Sequence, residues 1–177
     1  PLHGPAGWTR HKGPPMELIL WRHAEARDLP EDAPFDAAAD LARPLTPRGD
    51  KQAQRMAEWL NRFLPETTKV LVSPALRTRQ TAEALGRKLR IVDGLAPGAT
   101  HTQALAAARW PDSREPVLLV GHQPTLGQLA AYLMGGPATL DGPPWAVRKA
   151  AVWWLRHRLR DGVSDVVLVS VRTPDKL

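Results

Sequence analysis

Two histidines and several arginines stand at matching places along this chain, and their types suit one kind of chemistry. Arg22 and His23 are adjacent, Arg43 precedes Pro44, Arg77 follows Ser73-Pro74, and His122 follows Gly121. A guanidinium grips a phosphate with paired hydrogen bonds. An unprotonated imidazole nitrogen can attack phosphorus, and a covalent intermediate splits one hard displacement into two easier ones. A second imidazole can donate to the phosphoryl oxygens as their charge shifts in the transition state. Arginine and histidine then carry the charge that Mg²⁺ carries in other phosphoryl-transfer sites, so no metal or other cofactor is required. Singly, each residue has a plain alternative. Arg22 could pair with Glu25, Arg77 stands among Arg79, Arg87, Lys88 and Arg90, and Arg43 could be a loop charge.

The elements that must position these groups give the combination its weight. Leu18 to Trp21, Val70 to Val72 and Val117 to Val120 are short apolar runs without polar alternation. Such runs read as strands covered on both faces, as in a parallel sheet. Ligands of such sheets bind beyond the carboxyl ends of the strands, and each run delivers an Arg or a His at or just past that end. Thr46 and Pro47 open a helix over 47–62, with Ala53, Met56, Ala57, Leu60 and Leu64 on one face. Ser73 is expected to cap the next helix, whose buried face is Ala82, Leu85 and Leu89. A short helix over 102–109 stops before Pro111, and Leu126, Leu129, Ala130 and Leu133 mark another that ends at Gly135-Gly136. Ile91-Val92 reads as a brief parallel strand. Residues 150–155 and 165–171 read as an antiparallel hairpin turning at Asp161-Gly162. Strands alternate with helices, so the class is α/β.

Two loops stand out. Ala24 to Arg43 carries Glu31, Asp32, Asp36 and Asp40, and its length suggests a functional excursion. The Gly- and Pro-rich stretch 135–146 is expected to border the pocket, where Gly121 would let the backbone approach a ligand. Residues 1–15 have no apolar period and read as a flexible extension, with His3 and His11 as solvated tail residues. Residues 16–177 then form a single domain.

The 177 residues suit one compact domain with a substantial core. The net charge of +6 fits an anionic ligand and equally a nonspecific nucleic-acid binder. No base-stacking pattern supports a specific nucleic-acid partner. The absence of cysteine excludes disulfides, thiolate metal sites and a cysteine nucleophile, and is compatible with the cytoplasm. No segment approaches the roughly 20 apolar residues that span a bilayer.

Trp21-Arg22-His23-Ala24-Glu25 is similar to the Arg-His-Gly/Ala signature of the histidine phosphatase superfamily. Leu45-Thr46-Pro47-Arg48-Gly49 resembles its Leu-Thr-x-x-Gly helix start. The stretch from Ser73 to Ala82 matches its Ser-Pro-x-x-Arg-x-x-Gln-Thr-Ala block, and Gly121-His122 its later Gly-His. The short chain and Arg43-Pro44-Leu45-Thr46 most resemble the SixA-type phosphohistidine phosphatases. The resemblance implies a phosphoglycerate mutase-like fold, a three-layer α/β/α arrangement with a mostly parallel mixed sheet. It implies that His23 is the nucleophile that becomes phosphorylated. Arg22, Arg77 and His122 complete the phosphate pocket, and Arg43 adds a further contact.

Larger members of that superfamily carry an acidic proton donor in an inserted segment. Here Ile91 to Gly98 is short, with Asp93 as its one acid. Glu25, Asp28 and His101 are the remaining candidates, each with a reading as a solvated loop residue. An alkoxide leaving group needs a proton, an effect worth about 10²–10⁴-fold. Phosphohistidine can leave as a neutral imidazole and depends less on an acid. The expected activity is therefore metal-independent dephosphorylation of phosphohistidine in a protein partner. The alternatives are a small-molecule phosphomonoesterase and a non-catalytic phosphate-binding or basic interaction protein.

Overall fold

The computed structural model describes residues 14–177. His3, His11 and nearly all of the expected extension therefore lie outside the described residues. Among the described residues six strands form one sheet: β1 (Met16–Arg22), β2 (Lys69–Val72), β3 (Arg90–Ile91), β4 (Val117–Gly121), β5 (Val152–Arg160) and β6 (Val163–Arg172). Their order is β3-β2-β4-β1-β5-β6. The first four in that order run parallel, and β5 and β6 are antiparallel to their neighbours. The helices are α1 (Ala37–Leu41), α2 (Pro47–Phe63), α3 (Leu76–Glu83), α4 (His101–Ala108) and α5 (Thr125–Gly135).

The unbroken apolar runs reflect cover on both faces. Ile19, Trp21, Leu118, Val120, Val70 and Val72 pack with Ala53, Met56, Ala57 and Leu60 of α2 and Ala82 of α3. Their alternates Leu18, Leu20, Val117, Leu119 and Leu71 pack with Ala104 and Ala108 of α4 and Leu126, Leu129 and Ala130 of α5. Helices thus cover the sheet on both sides, giving the three-layer α/β/α architecture. The hairpin turns at Asp161 (φ 51°) and Gly162 (φ 76°), the pair of positive φ values a two-residue type I′ turn requires. Its strands run longer than the apolar pattern suggests, because Arg158 and Asp165 pair across them.

Four local readings need correction. The excursion after β1 contains α1, capped by the Asp36 carboxylate, and its ends are pinned by an Ala26–Leu45 bridge. Ser73 does not cap α3: Ala75 occupies that position without a side-chain cap, and Ser73 Oγ instead accepts from Ala75 N. Helix α3 ends at Glu83, so Leu85 is buried in the turn beyond it and Leu89 packs only partly on the core. At Gly121 the chain is in β4, and an added Cβ would meet only the Leu126 side chain at ordinary contact distance.

Gly49 is where a side chain would do damage. A Cβ there would lie 2.0 Å from the Glu25 carbonyl oxygen, because the first turn of α2 rests on the backbone just after His23. Thr46 caps that turn through Gly49 N, and its own N–H donates to Glu25 O. Gly49→Ala is expected to cost about 1–3 kcal/mol of stability, read by denaturant unfolding. An unchanged midpoint would show that this approach can relax.

Candidate active site

The sheet register brings the chemical groups together. Arg22 pairs with Gly121 across the β1–β4 ladder, and Val72 pairs with Val120 across β2–β4. His23, Ser73 and His122 are therefore the next residues out at one end of three adjacent strands. His23 N donates to Gly121 O and Ser73 N to Val120 O, so the ladder continues into the site. The two imidazoles lie with ring centroids 5.3 Å apart. Both are buried, at 6 % exposure for His23 and 4 % for His122.

His23 Nδ1 is 2.7 Å from Ala24 O. A carbonyl can only accept, so Nδ1 carries the ring proton and Nε2 keeps its lone pair. Burial, with Arg77, Arg22 and Arg43 nearby, lowers the His23 pKa to about 4, against the opposing effect of the Ala24 hydrogen bond. Burial, then His23 and the same three arginines, lowers the His122 pKa to about 2. Both imidazoles are thus neutral near neutral pH. A neutral imidazole with a free Nε2 is what a nucleophile at phosphorus needs.

The arginines are held from behind. Arg22 Nη1 donates to Val147 O, while its Nε is buried without a hydrogen-bond partner. Arg77, 3 % exposed, donates from Nη1 to Asp40 O and from Nη2 to Asp40 Oδ2. Its Nε is likewise unpartnered, as is His122 Nδ1. Arg43 Nε donates to Asp40 Oδ1, and Arg43 Nη1 donates to Arg27 O. Burial lowers the pKa of Arg22 and Arg77 below the ordinary guanidinium value, yet guanidinium groups stay cationic. Such a cluster, with spare donors facing no protein acceptor, favours a phosphoryl group.

The sequence reading placed His23, Arg22, Arg77, His122 and Arg43 in one neighbourhood, and the structure does the same. The candidate acids have other described contacts, although Glu25 Oε2 is buried without a hydrogen-bond partner. Glu25 Oε2 lies 3.9 Å from Arg48 Nε, Asp28 is an exposed partner of Arg43, and His101 packs on Tyr132. The expected bordering stretch 135–146 reaches the site near its end, at Trp145, and the border continues beyond it to Val147 and Ala150. Residues 137–141 form a short 3₁₀ turn, whereas Trp145, Val147 and Ala150 touch the site: Gln123 Nε2 donates to Trp145 O, and Ala150 N to His23 O.

Four supporting residues went unread in the sequence. Asp40 ties α1 to both Arg77 and Arg43, and its position three residues before Arg43 was the available signal. Thr81 Oγ1 accepts from Ala24 N and donates to Arg77 O, joining the His23 loop to the Arg77 helix. Gln80 Oε1 accepts from Leu45 N. Ser73 Oγ lies 2.7 Å from His122 Nε2. Gln80 and Thr81 stand in the block that resembles the superfamily, so their place in that motif was the clue.

A profile of the histidine phosphatase superfamily (branch 1) matches residues 18–97. The chain is 36% identical over 150 residues to an uncharacterized protein of Picosynechococcus sp., covering 80% of this chain and 85% of that one. It is 34% identical over 129 residues to the phosphohistidine phosphatase SixA of Escherichia coli, covering 68% and 76% respectively. Its fold is similar to that of a protein histidine phosphatase SixA solved in complex with tungstate. The TM-score is 0.65 at 27% identity, over 90% of this chain and 98% of that one. Among the described residues no helix is long and apolar enough to cross a membrane.

The depressed histidine pKa values carry a stability consequence. Between about pH 6.5 and about pH 4 the unfolded chain protonates at His23 while the folded one does not. Stability is therefore lost as pH falls through that window. In a proton NMR titration the His23 ring should have its midpoint near pH 4, and His23→Gln should lessen the loss of stability on acidification. A His23 midpoint near 6.5 would contradict the described environment.

Proposed function

The chain belongs to the histidine phosphatase superfamily and is a phosphatase, and from that premise we propose that it dephosphorylates phosphohistidine in a protein partner through phospho-His23. The observation that carries the mechanism is the His23 ring, with Nδ1–H committed to Ala24 O and Nε2 left as a lone pair. Arg22, Arg77 and His122 bind the phosphoryl oxygens through the nitrogen atoms that lack protein partners, and Arg43 adds a further contact.

In the first step the Nε2 lone pair forms the bond to phosphorus. The bond from phosphorus to the substrate imidazole breaks, and its electron pair stays on that nitrogen. With the substrate ring protonated at its other nitrogen, the leaving group departs as neutral imidazole. Water then attacks the same phosphorus, the Nε2–P bond breaks, and its electron pair returns to Nε2. Phosphate departs with both protons of that water. Neither step requires a metal, because the guanidiniums neutralise the phosphoryl charge.

Phosphohistidine is favoured over an alkyl phosphate by where the acids lie. Asp28 and His101 contact Arg43 and Tyr132, Asp40 serves as an acceptor for arginine donors, and Glu25 Oε2 lies 3.9 Å from Arg48 Nε with no hydrogen bond of its own. An alkoxide would leave without the proton that general acid catalysis supplies. The similarity to the E. coli SixA supports the same substrate class. One domain over 16–177 carries the activity. Its setting in this reading is the cytoplasm, which a cysteine-free chain suits.

The test is phosphate release, in EDTA, from a phosphohistidine protein and from a panel of phosphate monoesters. Release from phosphohistidine should exceed release from the monoesters and be lost in His23→Ala. Comparable release from small sugar phosphates would move the substrate to monoesters, and activity surviving His23→Ala would overturn the mechanism.

A further inference from the structure

Ser73 carries a buried hydroxyl at the end of β2 that reaches from the start of α3 to His122. Its backbone is already used: Ser73 N donates to Val120 O, and Ser73 O accepts from Thr78 Oγ1. The hydroxyl is fully buried, accepts from Ala75 N at 3.2 Å, and lies 2.7 Å from His122 Nε2. Its one hydrogen needs an acceptor, and Nε2 is in reach. A buried hydroxyl hydrogen without an acceptor carries a desolvation penalty.

We propose that Ser73 sets the tautomer of His122: its O–H donates to Nε2, which places the ring proton on Nδ1. Nδ1 is the nitrogen with no protein partner, so its N–H is available to a phosphoryl oxygen. The opposite tautomer fails twice. Nε2–H would then donate to Ser73 Oγ and leave the hydroxyl hydrogen stranded. Nδ1 would meet the phosphoryl oxygens with a lone pair, which repels them. The ring is neutral, because burial beside His23, Arg77, Arg22 and Arg43 disfavours a second proton on it. Ser73 is thus a positioning residue acting through His122. Its consequence for catalysis rests on the phosphatase mechanism above; the tautomer itself does not.

The experiment has two arms. In wild-type protein labelled with ¹⁵N, without phosphate and near neutral pH, ring nitrogen–proton correlations of His122 should show Nδ1 protonated and Nε2 bare. A protonated Nε2, alone or with Nδ1, overturns the proposal whether or not the enzyme turns over. In Ser73→Ala the ring should shift toward the Nε2–H form and kcat should fall about tenfold or more. Inhibition by inorganic phosphate should weaken as well, because its oxygens meet the same lone pair, and Ser73→Thr should restore the Nδ1–H form. An unaltered His122 signature in Ser73→Ala also overturns the proposal. Should that variant fail to fold, the wild-type spectrum still decides. Should the phosphatase reading fail, both spectra still report the tautomer.

Discussion

Burying two imidazoles beside three guanidiniums forces a choice of protonation, and the site depends on that choice. A proton on His23 or His122 would add a cation to a crowded, poorly solvated cluster, so both rings stay neutral. Neutrality alone would not make a nucleophile, because either ring nitrogen could hold the remaining hydrogen. The Ala24 carbonyl removes that ambiguity for His23 by taking Nδ1–H. The arginines therefore have two effects from one placement. They attract a phosphoryl dianion, and they keep the attacking nitrogen unprotonated.

Holding the cluster together requires contacts that contribute no chemistry. The like charges of Arg22, Arg77 and Arg43 repel, and the surrounding chain answers with acceptors. Val147 O takes Arg22, Asp40 O and its carboxylate take Arg77, and Arg27 O takes Arg43. Thr81 joins the His23 loop to α3, and Gly49 lets α2 rest directly on the Glu25 backbone. The geometry of the nucleophile is thus set by residues well separated in sequence. A change at Thr81 or Gly49 would reach His23 through the backbone rather than through charge.

Much of this was legible in the sequence, because strand ends are strong signals. Unbroken apolar runs identify strands covered on both faces, and the residues that follow them share one end of a parallel sheet. That reasoning placed Arg22, His23, Arg77 and His122 together without a structure. Long-range pairing of polar groups was harder to read. Asp40 looks like one acid among several in an acidic loop, and only the fold brings it onto Arg77, 37 positions away. Ser73 before a proline carries the ordinary mark of a helix cap, and its partner His122 lies 49 positions further on. Short helices such as α1 also escape pattern reading, since none of its residues is buried and no apolar period appears.

In this mechanism the phosphoryl group passes through His23 Nε2. The most direct test of that step mixes the enzyme with a radiolabelled phosphohistidine protein, quenches the reaction in alkaline denaturant within the first turnover, and locates the label. The mechanism predicts transient label on His23, bonded at Nε2, and none in His23→Ala. Label on another residue, or full phosphate release with the enzyme never labelled, would contradict it.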